Sequence, residues 1–108
     1  MMAGGLWHVE SFESKEAPGV LETFLKDECL PYWRSRGFNV KAFVTQFSLG
    51  SAQLWLLTEL ESMGSFDSWA AMAEGESRGR ELMNRLVGMT MNVRASVVRD
   101  LETAGHGR

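Results

Sequence analysis

The sequence predicts a single α+β domain with the element order β-α-β-β-α-β. Bulky and polar residues alternate near both ends of the chain, two segments show helical spacing, and Gly50 and Ser51 separate two strand-like runs in the middle. A chain of 108 residues is too short for two cores of ordinary size. We therefore expect one domain over residues 1–108, with an ordered core over residues 6–101 and loose ends.

The composition is that of a globular protein. Hydrophobic residues make up 44% of the chain and charged residues 23%, unlike the polar composition of disordered chains. Eleven Lys and Arg against fourteen Asp and Glu give a net charge of −3, and the basic residues are scattered, so no nucleic-acid partner is predicted. The start of the chain lacks signal-peptide features, no apolar run reaches the ~20 residues of a membrane span, and the single Cys29 favours a reducing setting. These features predict a cytoplasmic protein without a membrane partner.

The first half predicts a strand, a broken helix and a second strand. Residues 6–13 alternate with period two, which is typical of a strand. Residues 18–37 show helical spacing, with apolar side chains at Leu21, Phe24, Leu25, Cys29, Tyr32 and Trp33. Pro31 removes a backbone donor, so we expect the helix to kink or restart near Leu30 and to stop at Gly37. Residues 39–48 then predict the second strand.

The second half repeats this order. Residues 53–60 predict a strand joined to the previous one by a two-residue turn at Gly50 and Ser51. Ser65 is a candidate N-cap for a helix that Gly75 interrupts and Gly88 ends, and residues 91–98 predict the last strand. This order matches the ferredoxin-like pattern, in which an antiparallel four-stranded sheet carries its helices on one face.

Both faces of the predicted central hairpin are apolar. A two-residue turn places one set of side chains on one face: Val40, Ala42, Val44, Gln46, Trp55, Leu57 and Glu59. It places a second set on the other: Phe43, Thr45, Phe47, Leu54, Leu56, Thr58 and Leu60. Helices can cover only one face, so the pattern predicts a homodimer in which the second face meets its copy. A one-residue slip would exchange the faces, so the contact face stays open.

A series of short motifs supports this architecture: Glu10-Ser11-Phe12, Pro18-Gly19, Leu30-Pro31, Arg36-Gly37-Phe38, Leu54-Trp55 and Glu59-Leu60-Glu61-Ser62. Together they resemble the NIPSNAP branch of the dimeric α+β barrel superfamily, over roughly residues 6–101. The resemblance implies ferredoxin-like subunits paired as a homodimer. The superfamily includes cofactor-free monooxygenases, heme-handling enzymes and small-ligand regulators, so it does not select a function.

His8 and Glu10 are the first candidates for chemistry. They lie two positions apart on a predicted strand and therefore point the same way, as an acid-base pair would. The competing interpretation is an ordinary structural histidine. His106 lies in the tail, and without further histidine or cysteine ligands no metal site is predicted.

A second set of polar residues could line a small-molecule cavity: Gln46, Trp55, Glu59, Arg94 and Ser96. We predict Glu59 and Arg94 as candidate catalytic groups beside His8, and Glu10, Gln46, Trp55 and Ser96 as candidate ligand contacts. Polar residues on outer strands are also commonly exposed or paired across a subunit boundary, so the structural alternative stays open.

The remaining chemistry-bearing residues predict no cofactor. The four tryptophans occur at helical or strand spacing and are more typical of a core than of a heme pocket. Heme-degrading members of the dimeric α+β barrel superfamily, which this sequence resembles, depend on a histidine in a helix. Neither helical segment here contains one. Cys29 has no histidine at helical spacing, which favours an inert buried thiol.

Three functions remain open from the sequence. The favoured one is a dimeric module that binds a small apolar or amphipathic organic molecule between sheet and helices. The alternatives are a cofactor-independent monooxygenase or isomerase, in which His8, Glu59 or Arg94 orients a substrate anion, and a purely structural or interaction subunit with its interior filled by side chains.

Overall fold

The computed structural model describes residues 5–17, 19–46 and 52–101. The strands are β1 (Leu6–Ser14), β2 (Val40–Val44), β3 (Leu54–Leu60) and β4 (Thr90–Arg99). The helices are α1 (Val20–Phe24), α2 (Leu30–Ser35), α3 (Met63–Gly75) and α4 (Ser77–Met89), with a π-helical turn at Leu25–Cys29 between α1 and α2. The strands form one antiparallel sheet in the order β2-β3-β1-β4. This confirms the predicted ferredoxin-like fold.

The first helix carries the predicted break near Leu30 as a π turn. The Leu30 N–H donates to the carbonyl oxygen of Leu25, one residue further back than in an α-helix. Pro31 follows at the start of α2 and has no N–H to donate. Gly37 has a φ of 90°, a left-handed conformation that ends the helix as predicted.

The second helical segment begins and breaks near the predicted positions. The chain enters α3 at Met63, with Ser62 at the N-cap, so the expected N-cap at Ser65 is wrong; the Ser65 N–H instead bonds the Ser62 carbonyl oxygen at 3.1 Å. Gly75 ends α3, and Glu76 adopts extended backbone before α4 begins. A Cβ atom at Gly79 would collide with the backbone carbonyl of Met72, so glycine permits the close approach of α4 to α3.

The predicted hairpin register is wrong. Val40 pairs with Thr58 and Val44 with Leu54, and the Thr45 N–H donates to the Gln53 carbonyl at 2.8 Å. The connection is therefore longer than two residues, while Gly50, Ser51, Phe47 and Leu49 lie outside the described residues. Relative to the prediction, β2 is displaced along β3 by an odd number of residues, which regroups the side chains on the two faces.

The helices cover one side of this sheet, which we call the helix-facing side. Along β3 the buried side chains alternate with more exposed ones, so every second residue enters the core. The core joins this side of the sheet to the helices through Phe12, Leu21, Phe24, Leu25, Cys29, Leu30, Trp33, Val40, Leu54, Leu56, Trp69, Met72, Ala73, Leu82 and Leu86.

The opposite side carries no helix from the described part of the chain, and we call it the open face. It presents Trp7, Val9, Ser11, Phe43, Trp55, Leu57, Glu59, Arg94, Ser96 and Val98. Phe43 and Trp55 are paired across β2 and β3, with exposed fractions of 52% and 37%. Among the described helices, none has the length and apolar character needed to cross a membrane.

Candidate functional site

The structure divides the predicted site residues between the two sides of the sheet. His8 pairs with Thr58 and Glu10 with Leu56, and both β3 partners are buried on the helix-facing side. Trp55 and Glu59 alternate with those partners and lie on the open face. The predicted residues therefore do not form one site within a subunit.

His8 lies buried against the second helical segment. Its exposed fraction is 5%, and its ring centroid lies 5.1 Å from that of Phe66 and 5.0 Å from that of Trp69, at tilted angles. No hydrogen bond joins the imidazole to any other described residue. Burial lowers the pKa of His8 because the apolar surroundings disfavour its charged form. The imidazole is therefore neutral at pH 7, with a nitrogen available as a proton acceptor.

Glu10 follows His8 on the same side of β1, as the sequence predicted. Because His8 and Glu10 are two positions apart on the strand, their Cα atoms lie about 7 Å apart. The carboxyl group lies between Leu56 on β3 and Ala95 on β4, and it forms no hydrogen bond or ion pair within the described part of the chain. Burial raises the pKa of Glu10 because no nearby cation compensates the lost hydration.

Trp69 lies beside His8, although its helical spacing predicted only a core residue. Its ring is part of the core, but its indole nitrogen Nε1 is buried without a hydrogen-bond partner among the described residues. The spacing of Phe66 and Trp69 predicted a shared helical face. Their contact with His8 depends on how α3 packs on β1, which that spacing does not specify. We call His8, Glu10, Phe66 and Trp69 the His8 cluster.

The His8 cluster borders a part of the sheet that the helices leave uncovered. On β4, Ala95 lies opposite Glu10 and is exposed, and Val97 lies opposite His8 and is half-buried. Where the helices cover the sheet, the side chains on this side are buried, as Leu56 on β3 is. The edge of the cluster beside β4 is therefore less covered than the edge beside β3.

The open-face candidates have a different environment. Trp55 and Arg94 both lie opposite Ser11, one on each side of β1. The Glu59 carboxylate accepts a hydrogen bond of 2.7 Å from the Asn39 side chain, so Glu59 already has a structural partner. Trp55 pairs with Phe43 rather than Gln46, so the predicted grouping of Gln46 with Trp55 is wrong.

Arg94 borders a polar cavity at one end of the open face. The cavity has a volume of about 350 Å³ and is lined by Glu13, Gln53, Asn92, Val93 and Arg94. Asn92 has a φ of 54° beside an irregularity in the β1–β4 pairing, and its side chain donates to the Glu13 carboxylate at 3.2 Å. Ser96 lies two residues further along β4, opposite Val9.

A separate apolar groove lies between the first helix and the β2–β3 pair. It has a volume of about 190 Å³ and is lined by Glu22, Leu25, Lys26, Leu30, Ala42, Phe43, Val44 and Leu54. An apolar cavity of roughly 150 Å³ can hold benzene, so the groove has room for one small ring. None of the residues predicted for chemistry lines it.

Cys29 lies in the core, as predicted. Its side chain is 0% exposed, and burial raises the pKa of the thiol to about 12. The neutral thiol is a poor nucleophile. Within the described ranges, no three His, Cys, Asp or Glu side chains are placed to hold a metal ion together.

Comparison with known proteins places the fold. No protein-family model and no curated protein matches the sequence. A NIPSNAP family protein from Agrobacterium tumefaciens superposes with a TM-score of 0.70 at 12% identity, over 86% of this chain and 90% of the other. SnoaB, a cofactor-independent oxygenase from Streptomyces nogalater, superposes with a TM-score of 0.66 at 11% identity, over 89% and 92% of the two chains.

A third solved structure with this fold is a dimer. A dimeric protein of unknown function and ferredoxin-like fold from Bacteroides fragilis superposes with a TM-score of 0.66 at 9% identity, over 93% of this chain and 100% of the other. Identities this low show a shared fold only. The chain thus has the fold found in NIPSNAP family proteins, as the sequence motifs predicted, and the same fold occurs in an oxygenase.

Proposed function

We propose that this protein is a homodimer that binds a small aromatic molecule with a polar group at the His8 cluster, between sheet and helices. The observation that carries the proposal is the buried, unpaired indole N–H of Trp69, whose ring lies 5.0 Å from that of His8. His8 and Glu10 have no hydrogen-bond partner in the described residues, and the buried indole N–H of Trp69 has none either. Buried polar groups are normally paired, so a bound ligand that accepts a hydrogen bond from the Trp69 indole accounts for this unpaired donor.

The chemistry of the cluster limits the ligand. The rings of Phe66 and Trp69 favour an aromatic or otherwise flat apolar surface. The indole N–H can donate to an oxygen, and the neutral imidazole can accept from a hydroxyl. A compound with a hydroxylated ring satisfies both requirements, whereas a strongly charged ligand would lose hydration without gaining a counter-ion.

The homodimer rests on the open face. Val9 and Leu57 are neighbours in the middle of this face, and the exposed side chains of Phe43 and Trp55 extend the apolar area. Lys41 and Arg94 lie toward the outer strands. An apolar centre with a charged rim is the usual anatomy of a protein interface, and a protein of the same fold is dimeric.

Native mass spectrometry of gently purified protein is the first test, because one spectrum reports the oligomer and any retained small molecule. We expect a dimer with added ligand mass, or a dimer that takes up added 2-naphthol. A monomer would contradict the proposed assembly, and a dimer that binds neither would contradict the proposed site.

A matched pair of variants tests the location of the site. Trp69→Phe keeps an aromatic ring and removes the indole N–H, so we expect roughly five- to tenfold weaker binding of 2-naphthol, as for the loss of one hydrogen bond. Trp33→Phe is the control, because Trp33 also has a buried unpaired indole N–H but lies elsewhere in the core. Equal effects of the two substitutions on calorimetric affinity would contradict the assignment.

Cofactor-independent catalysis is the second candidate, and the neutral state of His8 favours it. A neutral imidazole can take a proton from an acidic ligand, and the Trp69 N–H can stabilise the oxygen anion that results. This step predicts faster deuterium exchange at the ring carbon beside the hydroxyl of 2-naphthol in D2O, observed by NMR. Loss of the acceleration in His8→Gln with binding retained would support catalysis, and no acceleration by the native protein would contradict it.

A further inference from the structure

The two central strands contribute alternate residues to two different surfaces. On β1, His8 and Glu10 belong to the His8 cluster, while Trp7, Val9 and Ser11 lie on the open face. On β3, Thr58 lies opposite His8, and its neighbours Leu57 and Glu59 lie on the open face. The two surfaces are the two sides of the same strands, so the strand backbone lies between them.

Strand geometry links these surfaces mechanically. Any twist or shift of β1 moves His8 and Val9 together, because successive side chains leave the same backbone in opposite directions. The pairing of β1 with β4 is also irregular between Ser11 and Glu13, which places a local break in the ladder two residues beyond Glu10. Packing a second copy on the open face therefore restricts the strand on which the ligand groups lie.

We infer that ligand binding at the His8 cluster and pairing of the open faces are coupled through β1 and β3, so that a second copy of this chain raises ligand affinity. The inference rests on the proposed site and the proposed dimer. We expect a positive sign, because if both the ligand and the second copy restrict β1 and β3, the second event has less ordering to complete. Each dimer has two such sites, so thermodynamic linkage requires saturating ligand to strengthen the dimer by the square of the affinity factor at one site.

Substitution at the margin of the interface separates the two events. Phe43→Glu places a charge on β2, on the open face but outside both β1 and β3, and should give a folded monomer. We expect this monomer to bind 2-naphthol roughly tenfold more weakly than the dimer, within the usual range of coupling between sites. Val87→Glu is the matched control, because Val87 is exposed on α4 away from the sheet, and it should leave affinity and oligomer unchanged.

A second measurement uses the native chain, so it does not depend on the variant folding. Sedimentation velocity over a dilution series gives the dimer dissociation constant, which saturating 2-naphthol should lower by the square of that factor, roughly a hundredfold for a tenfold difference in site affinity. Equal ligand affinity in monomer and dimer, together with an unchanged dimer constant, would overturn the coupling while leaving site and dimer intact. Absence of binding to the native dimer would instead overturn the proposed site, and a native monomer would overturn the proposed interface.

Discussion

The two sides of the sheet have similar apolar content but different surroundings. On the helix-facing side, Phe12, Leu56 and Leu60 are almost fully buried, whereas on the open face Phe43 and Trp55 remain in contact with solvent. The helices account for this difference, since both sets of side chains come from the same strands. Apolar character alone therefore does not identify the core: the open face has the composition of a core, but no helix among the described residues covers it.

A charge in the middle of the open face should have the largest effect. Leu57→Asp places a carboxylate where two copies would meet, and a twofold contact brings each such group into an unpaired, desolvated position. We expect the dimer to be absent at micromolar protein concentration while the circular dichroism spectrum is retained. Light scattering measures the mass, and an unchanged dimer mass would show that this face is not the contact.

Removal of a core side chain should have the next largest effect. Leu82 on α4 is 0% exposed, so Leu82→Ala leaves a cavity and should lower the free energy of unfolding by about 2–5 kcal/mol. Val87→Ala on the exposed face of the same helix should change it by less than about 0.5 kcal/mol. Urea denaturation at several protein concentrations separates both values from dimer dissociation. A small loss for Leu82→Ala would show that α4 is not part of the cooperative core.

Neutralising Glu10 should stabilise the fold at neutral pH. Burial raises the pKa of Glu10 above its usual 4.5, so the folded chain holds this proton more tightly than the unfolded chain. Stability from this group is therefore complete below pH 4.5 and is lost as pH rises through the folded pKa. We expect Glu10→Gln to raise the Tm by a few degrees at pH 7 and to leave it nearly unchanged at pH 4.

The exposed Glu61→Gln variant removes the same formal charge and so separates burial from net charge. If both substitutions raise the Tm at pH 7 equally, the burial of Glu10 has no special role. If the Glu10→Gln variant is more stable but binds 2-naphthol more weakly, the Glu10 carboxyl group contributes to ligand binding at some cost in stability.

The smallest expected signal is the reactivity of Cys29. With a pKa of about 12 and no exposure, the thiol should remain unmodified by iodoacetamide in folded protein at pH 8. It should react rapidly in denaturing urea, as followed by mass spectrometry. Glu61→Cys supplies an exposed thiol as the positive control, and rapid modification of Cys29 in the folded protein would contradict the packing around the first helix.

The order of the elements was predictable because each follows from local pattern. The position of the helix break was predictable from Pro31, whose missing N–H acts at a known place in the chain. The hairpin register was not predictable, because Gly50 and Ser51 are typical of a two-residue turn, which sets a different register. Pairing of Val44 with Leu54 requires a longer connection, and turn length depends on how the strands pack as well as on turn residues.

The candidate site was predictable only in part. The alternation of β1 was enough to place His8 and Glu10 on one side of the sheet. It could not show that Glu59 and Arg94 lie on the other side, since that relation depends on the register between strands. Trp69 was hidden for another reason: its ring serves the core, and only the packing of α3 on β1 shows that its N–H is unpaired.

The π turn at Leu25–Cys29 has a consequence for how the chain tolerates changes in length. A π turn contains one residue more than the corresponding α turn. It therefore has the form that an α-helix takes when a single residue is inserted. The added residue is absorbed within one turn, so the helix on either side keeps its alignment with the sheet. Deletion of the exposed Lys26 would remove that residue while Leu21 and Trp33 kept their core positions. We therefore expect this segment to tolerate the loss of one amino acid without rearrangement of the core.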